Sequence, residues 1–179
     1  MIGRVLRLRE VPILGALVVL IAVTAIFQSG FFASDGLAAI LLQTALIAFL
    51  AAGQSNLIMM RRIDLSVSST AGLVSFLVGD YSMTHEGVSF FTAVGIAVVV
   101  GGAVGVVNGA LVAYLKLPSL VVTIATLYIV RGIFNYLAGG TTVTADTLPD
   151  YFSAIGSGVF LGIPVLFWIA ALLCVGMTL

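Results

Sequence analysis

Arg61, Arg62 and Asp64 crowd into the stretch MMRRIDLSVSST, residues 59–70, of a 179-residue chain in which only 8% of residues are charged. A guanidinium beside a carboxylate can form an ion pair, and a carboxylate just before a helix can cap it. The same charges, with the hydroxyls of Ser66, Ser69 and Thr70, can also border a hydrated path where broken backbone is shielded from lipid. From the residues alone both readings stay open.

A second polar group lies deeper in apolar sequence. Arg131 falls inside the run 119–137, and a central arginine costs roughly 2.5 to 3.5 kcal/mol to insert. Such a residue needs water or a partner. It can snorkel toward the outer surface about 12 Å away, or it can face a hydrated interior with Asn135 one turn on and Thr123 or Thr126 on nearby faces. Gln43, Gln54 and Asn56 are weaker candidates of the same kind, with interhelical hydrogen bonding as the alternative. The candidates for a translocation pathway are therefore Arg131, Asn135, Thr123, Thr126, Asp64, Ser66, Gln54 and Asn56.

Catalytic chemistry finds no comparable foothold. Cys174 and His85 are each the sole residue of their type, which excludes an internal disulfide and a Cys/His metal site. GGAVGVVNG, residues 101–109, is not a phosphate loop, because it lacks the Walker lysine and Ser/Thr and sits in an apolar run. No nucleophile–base pair and no acid–base carboxylate pair stands elsewhere, so no catalytic residue, cofactor or metal is expected. Seven basic and seven acidic residues cancel, leaving no basic patch for nucleic acid.

The elements that must hold these residues follow from the apolar runs. With 61% hydrophobic residues, the chain reads as all-α, a polytopic transmembrane helical bundle of about six spans: 11–28, 37–60, 65–79, 89–115, 119–137 and 163–179. Pro12 and Pro118 sit near helix starts, Ser34 or Asp35 can cap the second span, and Gly139-Gly140 can end the fifth. The third span has only 15 residues, about 22 Å at the helical rise, so it must begin below the membrane surface or be shielded. Segment 138–160 is the long connection, polar enough to lie outside the hydrocarbon, with a short surface helix after Pro149. Gly101, Gly105 and Gly109, spaced four apart, leave a smooth strip for helix packing.

Basic residues set the orientation. If Arg4, Arg7 and Arg9 keep the N-terminus cytoplasmic, six spans place Arg61, Arg62 and Lys116 on the cytoplasmic side and 138–160 outside. A signal peptide is the other reading of the start, although the run is long and no clear A-x-A site follows. The final span stops at Leu179 without anchoring polar residues, which leads us to expect the N-terminal portion of a longer protein.

RRIDLSVSSTAGLVSF, GGAVGVVNGALVAYLKLPSLVVTIATLYIVRGIF and LAGG, within about 37–168, resemble the permease subunits of bacterial binding-protein-dependent ABC importers of the ribose/xylose type. The IDLSV element followed by NGxLVAxLKxPxxVVTxxTLxxxRG carries most of the likeness. The resemblance implies a multi-pass protein of the bacterial inner membrane, surrounded by membrane lipid, that imports a monosaccharide or related small polar solute. Its implied partners are a second permease subunit (in a homodimer or heterodimer), a periplasmic solute-binding protein and a cytoplasmic ATP-binding subunit, which would hydrolyse the ATP. Where the family has glycines around its IDLSVGS element this chain has Arg61-Arg62 and Ser68, more like the rhamnose-type and autoinducer-2-type branches, and the cargo stays open. The family's members are about twice as long, and their ATPase-docking loop lies in the half without counterpart here. Two other functions remain: a secondary transporter or channel, which would carry coupling carboxylates within its spans, and a membrane assembly subunit without transport.

Overall fold

The computed structural model describes residues 11–28 and 30–178. Arg4, Arg7 and Arg9, on which the cytoplasmic N-terminus rests, and Leu179 lie outside the described residues. The helices are α1 (Val11–Phe27), α2 (Ser34–Met59), α3 (Val67–Thr84), α4 (Phe90–Ala113), α5 (Ser119–Ala138), α6 (Asp150–Gly156) and α7 (Val165–Thr178). By length and composition α2, α4 and α5 can each cross a membrane, while α1 and α7 are shorter apolar helices.

Local chemistry accounts for most of the ends. Pro12 occupies the first turn of α1, where its missing N–H leaves no bond unmade. Ser89 caps α4 by accepting the Thr92 N–H at 3.2 Å. Pro118 precedes α5 in an extended conformation, and Gly139 closes it in the left-handed region at φ 52°, donating to the Asn135 carbonyl at 3.2 Å. The start of α2 departs from expectation. Its N-cap is Ala33 and no side chain caps it; the Ser34 hydroxyl turns to the Asp35 carboxylate at 3.2 Å, and Asp35 acts on the helix dipole from the first turn instead.

Helix α3 also differs from the expected 65–79: it begins at Val67 and runs to Thr84. Gly79-Asp80 reads as a break in the sequence, yet the helix continues through it. Val143, distant in sequence, lies on Gly79 so closely that a Cβ there would stand 2.7 Å from Val143 Cγ1. The glycine is a notch for a packed side chain. With 18 residues, α3 is about 27 Å long at the helical rise, and shortness is no longer the argument for a buried start.

Helices α3, α4 and α5 pack on one another, and α2 packs on α7. Leu73 and Phe76 of α3 and Val122 and Val130 of α5 are buried, and Phe76 meets Phe134 edge to face with centroids 5.6 Å apart. Ala45 of α2 and Ala170 of α7 are buried as well, small residues that let backbones approach. Helix α1 buries none of its residues. A helix this apolar on all sides needs lipid or another protein surface around it.

The connection from α5 to α7 contains a 3₁₀ turn (Ala145–Thr147), α6 starting directly after Pro149, and a hairpin of β1 (Val159–Phe160) with β2 (Ile163–Pro164). The two turn residues, Leu161 at φ 54° and Gly162 at φ 79°, both take left-handed conformations, as a two-residue hairpin of this twist demands. Because Ile163-Pro164 belong to β2, the last helix starts at Val165, later than the apolar run predicts. The short helix after Pro149 is as the sequence suggests, and Val143, Leu148, Tyr151 and Phe152 line a groove of about 500 Å³ with Val78 of α3 and Phe90 of α4.

Candidate functional site

The stretch with which the sequence reading began is a non-helical turn between α2 and α3. Its first residues finish α2: the Arg61 N–H bonds the Ile58 carbonyl at 2.9 Å and the Arg62 N–H bonds the Leu57 carbonyl at 2.8 Å, with Arg61 at φ 56°. This is a Schellman closure with arginine in the position that glycine fills without strain. Both arginines are exposed. The backbone that follows is satisfied by side chains from the surrounding helices.

Gln54 of α2 donates to the Asp64 carbonyl, Thr123 of α5 donates to the Ile63 carbonyl at 3.4 Å, and the Ile63 N–H reaches the Ser119 hydroxyl at 3.5 Å. Asp64 Oδ1 accepts both the Ser66 N–H at 2.7 Å and the Ser66 hydroxyl at 2.6 Å. The carboxylate thus organises the turn through Ser66, and the expected neutralisation by Arg61 or Arg62 is replaced by these two bonds. Ser66, only 1% exposed, is the N-cap residue of α3, so Asp64 steadies the helix start from two positions upstream.

The chain of bonds continues inward. Asn108 Nδ2 of α4 donates to Ser66 Oγ at 2.9 Å, and Thr126 Oγ1 of α5 donates to Asn108 Oδ1 at 2.6 Å. Ser66, Asn108, Thr123 and Thr126 are all buried. Asn108 lies five residues before the end of α4 and Thr126 seven after the start of α5, about 7 and 10 Å along the helices. The start of α3 is therefore drawn well inside the ends of its neighbours. In hydrocarbon, irregular backbone of this kind survives only when protein or water satisfies it.

Two grooves flank the first turns of α3. On one side Arg131 lines a space of about 250 Å³ with Ser68, Ser69, Gly72, Leu127 and Phe134. On the other, Asp64 and Thr70 line a space of about 300 Å³ together with Gly101 and Gly105 of α4. The hydroxyls of Ser69 and Thr70 both bond the Ser66 carbonyl, at 2.8 and 3.0 Å. Each groove is mainly apolar and carries one charged group, the Arg131 guanidinium of α5 in the first and the Asp64 carboxylate in the second, and each group can exchange hydrogen bonds with a small polar solute.

The structure gathers Gln54, Asp64, Ser66, Thr123 and Thr126 into one cluster and sets Arg131 beside α3 with other hydroxyls than those of Thr123 and Thr126. Asn135 is exposed one turn beyond Arg131, outside the lining of its groove. Asn56 is exposed and turns to the Ala52 carbonyl of its own helix at 3.4 Å, and Gln43 is exposed on α2. A Cβ on Gly101, Gly105 or Gly109 would meet nothing within 4 Å, so the strip is open in this chain. Sequence reasoning missed Asn108. Its signal was available: apart from Thr92 near the start, it is the lone polar side chain in α4.

Away from the helices, Asp146 is fully exposed, and the Thr144 side chain, followed by its own backbone N–H, holds its carboxyl below the ordinary range. Among the described residues no group of three or more His, Cys, Asp or Glu side chains could hold a metal ion.

With this geometry in place, likeness to known proteins can be stated. A family described as branched-chain amino acid transport system / permease component matches residues 36–178. The ribose import permease protein RbsC of Haemophilus influenzae is 32% identical over 159 residues, which cover 88% of this chain and 49% of that protein. The autoinducer 2 import system permease protein LsrC of Salmonella paratyphi B is 32% identical over 165 residues, 92% of this chain and 46% of that protein. LsrC of Photorhabdus luminescens is 27% identical over 169 residues, 94% of this chain and 50% of its own length. The chain spans about half the length of the curated relatives it matches. No solved structure matches it. From the turn at 61–66 through the helices that clasp it, the chain belongs to the family of permease components of transport systems.

Proposed function

We propose that this protein is a transmembrane permease subunit of a bacterial ABC importer that moves a monosaccharide or related small polar solute into the cytoplasm. The observation that carries the reading is the match over residues 36–178, which includes the whole polar turn and every helix that braces it. Relatives named for ribose and for autoinducer 2 support a small polar cargo, and hydroxyls, a guanidinium and a carboxylate beside α3 suit such a solute. ATP hydrolysis belongs to a separate cytoplasmic subunit. A periplasmic binding protein delivers the solute, and a second permease subunit completes the pathway, with the open strip of Gly101, Gly105 and Gly109 available for close helix contact.

In this reading the six apolar helices span the inner membrane with the N-terminus inside. Bonds from Ile63 to Ser119 and Thr123 set the 61–66 turn beside the start of α5, which supports a common face for Arg61, Arg62 and Lys116; the basic-residue rule makes that face cytoplasmic in this reading, and the connection 138–160 periplasmic. Arg131 and the hydroxyls near it line the pathway, with Asn135, Gln54 and Asn56 as further candidates.

One tagged preparation from the native host tests both parts. The protein should copurify with an ATP-binding subunit, and in intact cells a cysteine at Thr144 should react with a membrane-impermeant reagent while one at Lys116 stays protected. Copurification without any ATP-binding subunit would sink the importer reading, and the opposite labelling pattern would invert the topology.

A further inference from the structure

We propose that Asn108 is a positioning residue: its side-chain amide holds the first turn of α3 at depth, keeping Ser68 and Ser69 opposite Arg131 and keeping Asp64 and Thr70 on the groove beside Gly101. Its effect on uptake rests on the importer reading above. Its effect on geometry does not.

The argument is one of proton count. Ser66 has a single hydroxyl proton, and that proton goes to Asp64 Oδ1 at 2.6 Å. Toward α4 the serine oxygen can only accept, so its partner there must be a donor. Thr126, from the other side, has one hydroxyl proton shared between Asn108 Oδ1 at 2.6 Å and the Val122 carbonyl of its own helix at 3.0 Å, and with the Asn108 amide nitrogen turned to Ser66, the amide oxygen is the atom that meets Thr126 as acceptor. A carboxamide offers both at once. The bonds then run in one direction, from Thr126 through Asn108 and Ser66 to Asp64, and join α5, α4 and the start of α3.

Burial gives the chain its leverage. Asn108 is 6% exposed and Ser66 1%, so neither can replace a lost partner with bulk water, and an unmet polar group in hydrocarbon is expensive. Beside the first turn of α3, Gly101 and Gly105 of α4 line a groove into which they send no side chain. Without the amide, Ser66 can swing with Asp64 as a unit, and Ser68, Ser69 and Thr70 swing with them. Both grooves would change shape together.

The substitutions separate positioning from bulk. Leucine at 108 keeps volume and removes both bonds; serine keeps one donor and one acceptor on a shorter arm; aspartate loses the donor and sets a charge against Asp64. Thr126→Val is nearly isosteric and removes the far end of the chain together with the bond to the Val122 carbonyl of its own helix. Each is made in a Cys174→Ser background, because Cys174 is exposed, with one reporter cysteine at a time at Ser69, Thr70 or the distant Thr144, in membranes from cells expressing the protein with its partner subunits. Small-thiol labelling rates and solute uptake are both measured.

Asn108→Leu should change labelling at 69 and at 70 severalfold, leave Thr144 unchanged, and lower uptake about tenfold or more, since small misplacement of a lining group is amplified in function. Asn108→Ser should fall between Leu and the parent, Asn108→Asp should be at least as severe as Leu, and Thr126→Val should shift labelling in the same direction by less. Unchanged labelling at 69 and 70 in Asn108→Leu overturns the proposal. So does equal damage by Leu and Ser with the Thr144 reporter moved as well, because that describes a packing residue. If labelling shifts as expected while the parent protein shows no uptake with its partners, positioning stands and the importer reading falls.

Discussion

The turn at 61–66 and the connection at 138–160 approach opposite ends of α3, and they solve the same problem in different ways. Each is irregular backbone beside apolar helices. The turn borrows side chains from its surroundings: Gln54, Thr123 and Ser119 serve its backbone, and Asn108 reaches its capping serine. The connection supplies its own short elements, a 3₁₀ turn, α6 and a hairpin, and presses apolar residues onto α3 and α4. A segment served from outside can rest below a membrane surface, whereas one that satisfies itself locally and still exposes polar residues is suited to the interface. Each kind of perturbation should therefore be felt at a different place: polar substitutions at the N-terminal end of α3, steric ones at its C-terminal end.

Arg131 gives the sharpest break in that comparison. It lines the groove beside Ser68 and Ser69, so neutralising it should strike function through the N-terminal end of α3 while leaving the C-terminal end intact. Arg131→Leu should insert as well as the parent or better, because it removes an insertion cost of roughly 2.5 to 3.5 kcal/mol. Uptake per inserted molecule should nevertheless drop about tenfold or more, with Arg131→Lys retaining part of it, since the charge survives and the planar five-donor fork does not. Uptake equal to the parent in the leucine variant would reduce Arg131 to a snorkelling residue.

At the C-terminal end of α3 the expected effect is on stability. Gly79 is buried, and an added methyl would meet Val143 Cγ1 at 2.7 Å and Cγ2 at 3.1 Å. Gly79→Ala should destabilise by about 1 to 3 kcal/mol through overpacking, offset in part by the better helix propensity of alanine. Val143→Ala alone costs the methyl contacts, and combined with Gly79→Ala it should recover much of the loss. Thermal unfolding in detergent measures this as a double-mutant cycle. Additive losses would mean that the notch and the valine do not meet as the structure places them.

The same contrast separates what the sequence disclosed from what it concealed. Apolar runs with proline or glycine at their ends located the helical segments, because those signals act within a few residues: Gly139 ends α5 and Pro118 starts it as spacing alone suggests. Contacts between distant positions had no such signal. Val143 seats on Gly79, inside a helix that runs on to Thr84, and Ile163-Pro164 pair with Val159-Phe160 across the tight turn Leu161-Gly162. Among the candidate residues, polarity in an apolar setting was readable, but direction was not. Thr123 and Thr126 share α5 with Arg131, yet they bond toward Ile63 and Asn108 while the arginine faces Ser68 and Ser69.

The smallest effect concerns one oxygen. Tyr151 on α6 packs edge to face with Phe90, centroids 5.8 Å apart, and stacks on Phe152 at 4.7 Å, so two aromatic neighbours hold its ring in the apolar groove. Its hydroxyl is buried and has no hydrogen-bond partner among the described residues. A buried donor without an acceptor costs about 1 to 3 kcal/mol relative to the same group in water, and removing it returns that cost while keeping the ring. Tyr151→Phe should therefore leave the unfolding midpoint unchanged or raise it, in contrast to the 61–66 turn, where Ser66→Ala strips a partner from both Asp64 and Asn108 and should lower it. The comparison is read from the two midpoints in the same detergent. A loss of about 1 kcal/mol or more in Tyr151→Phe would show that the hydroxyl finds an acceptor beyond this chain, in a lipid headgroup or a partner subunit, and the connection 138–160 would then be a polar contact surface and not a self-contained apolar cover.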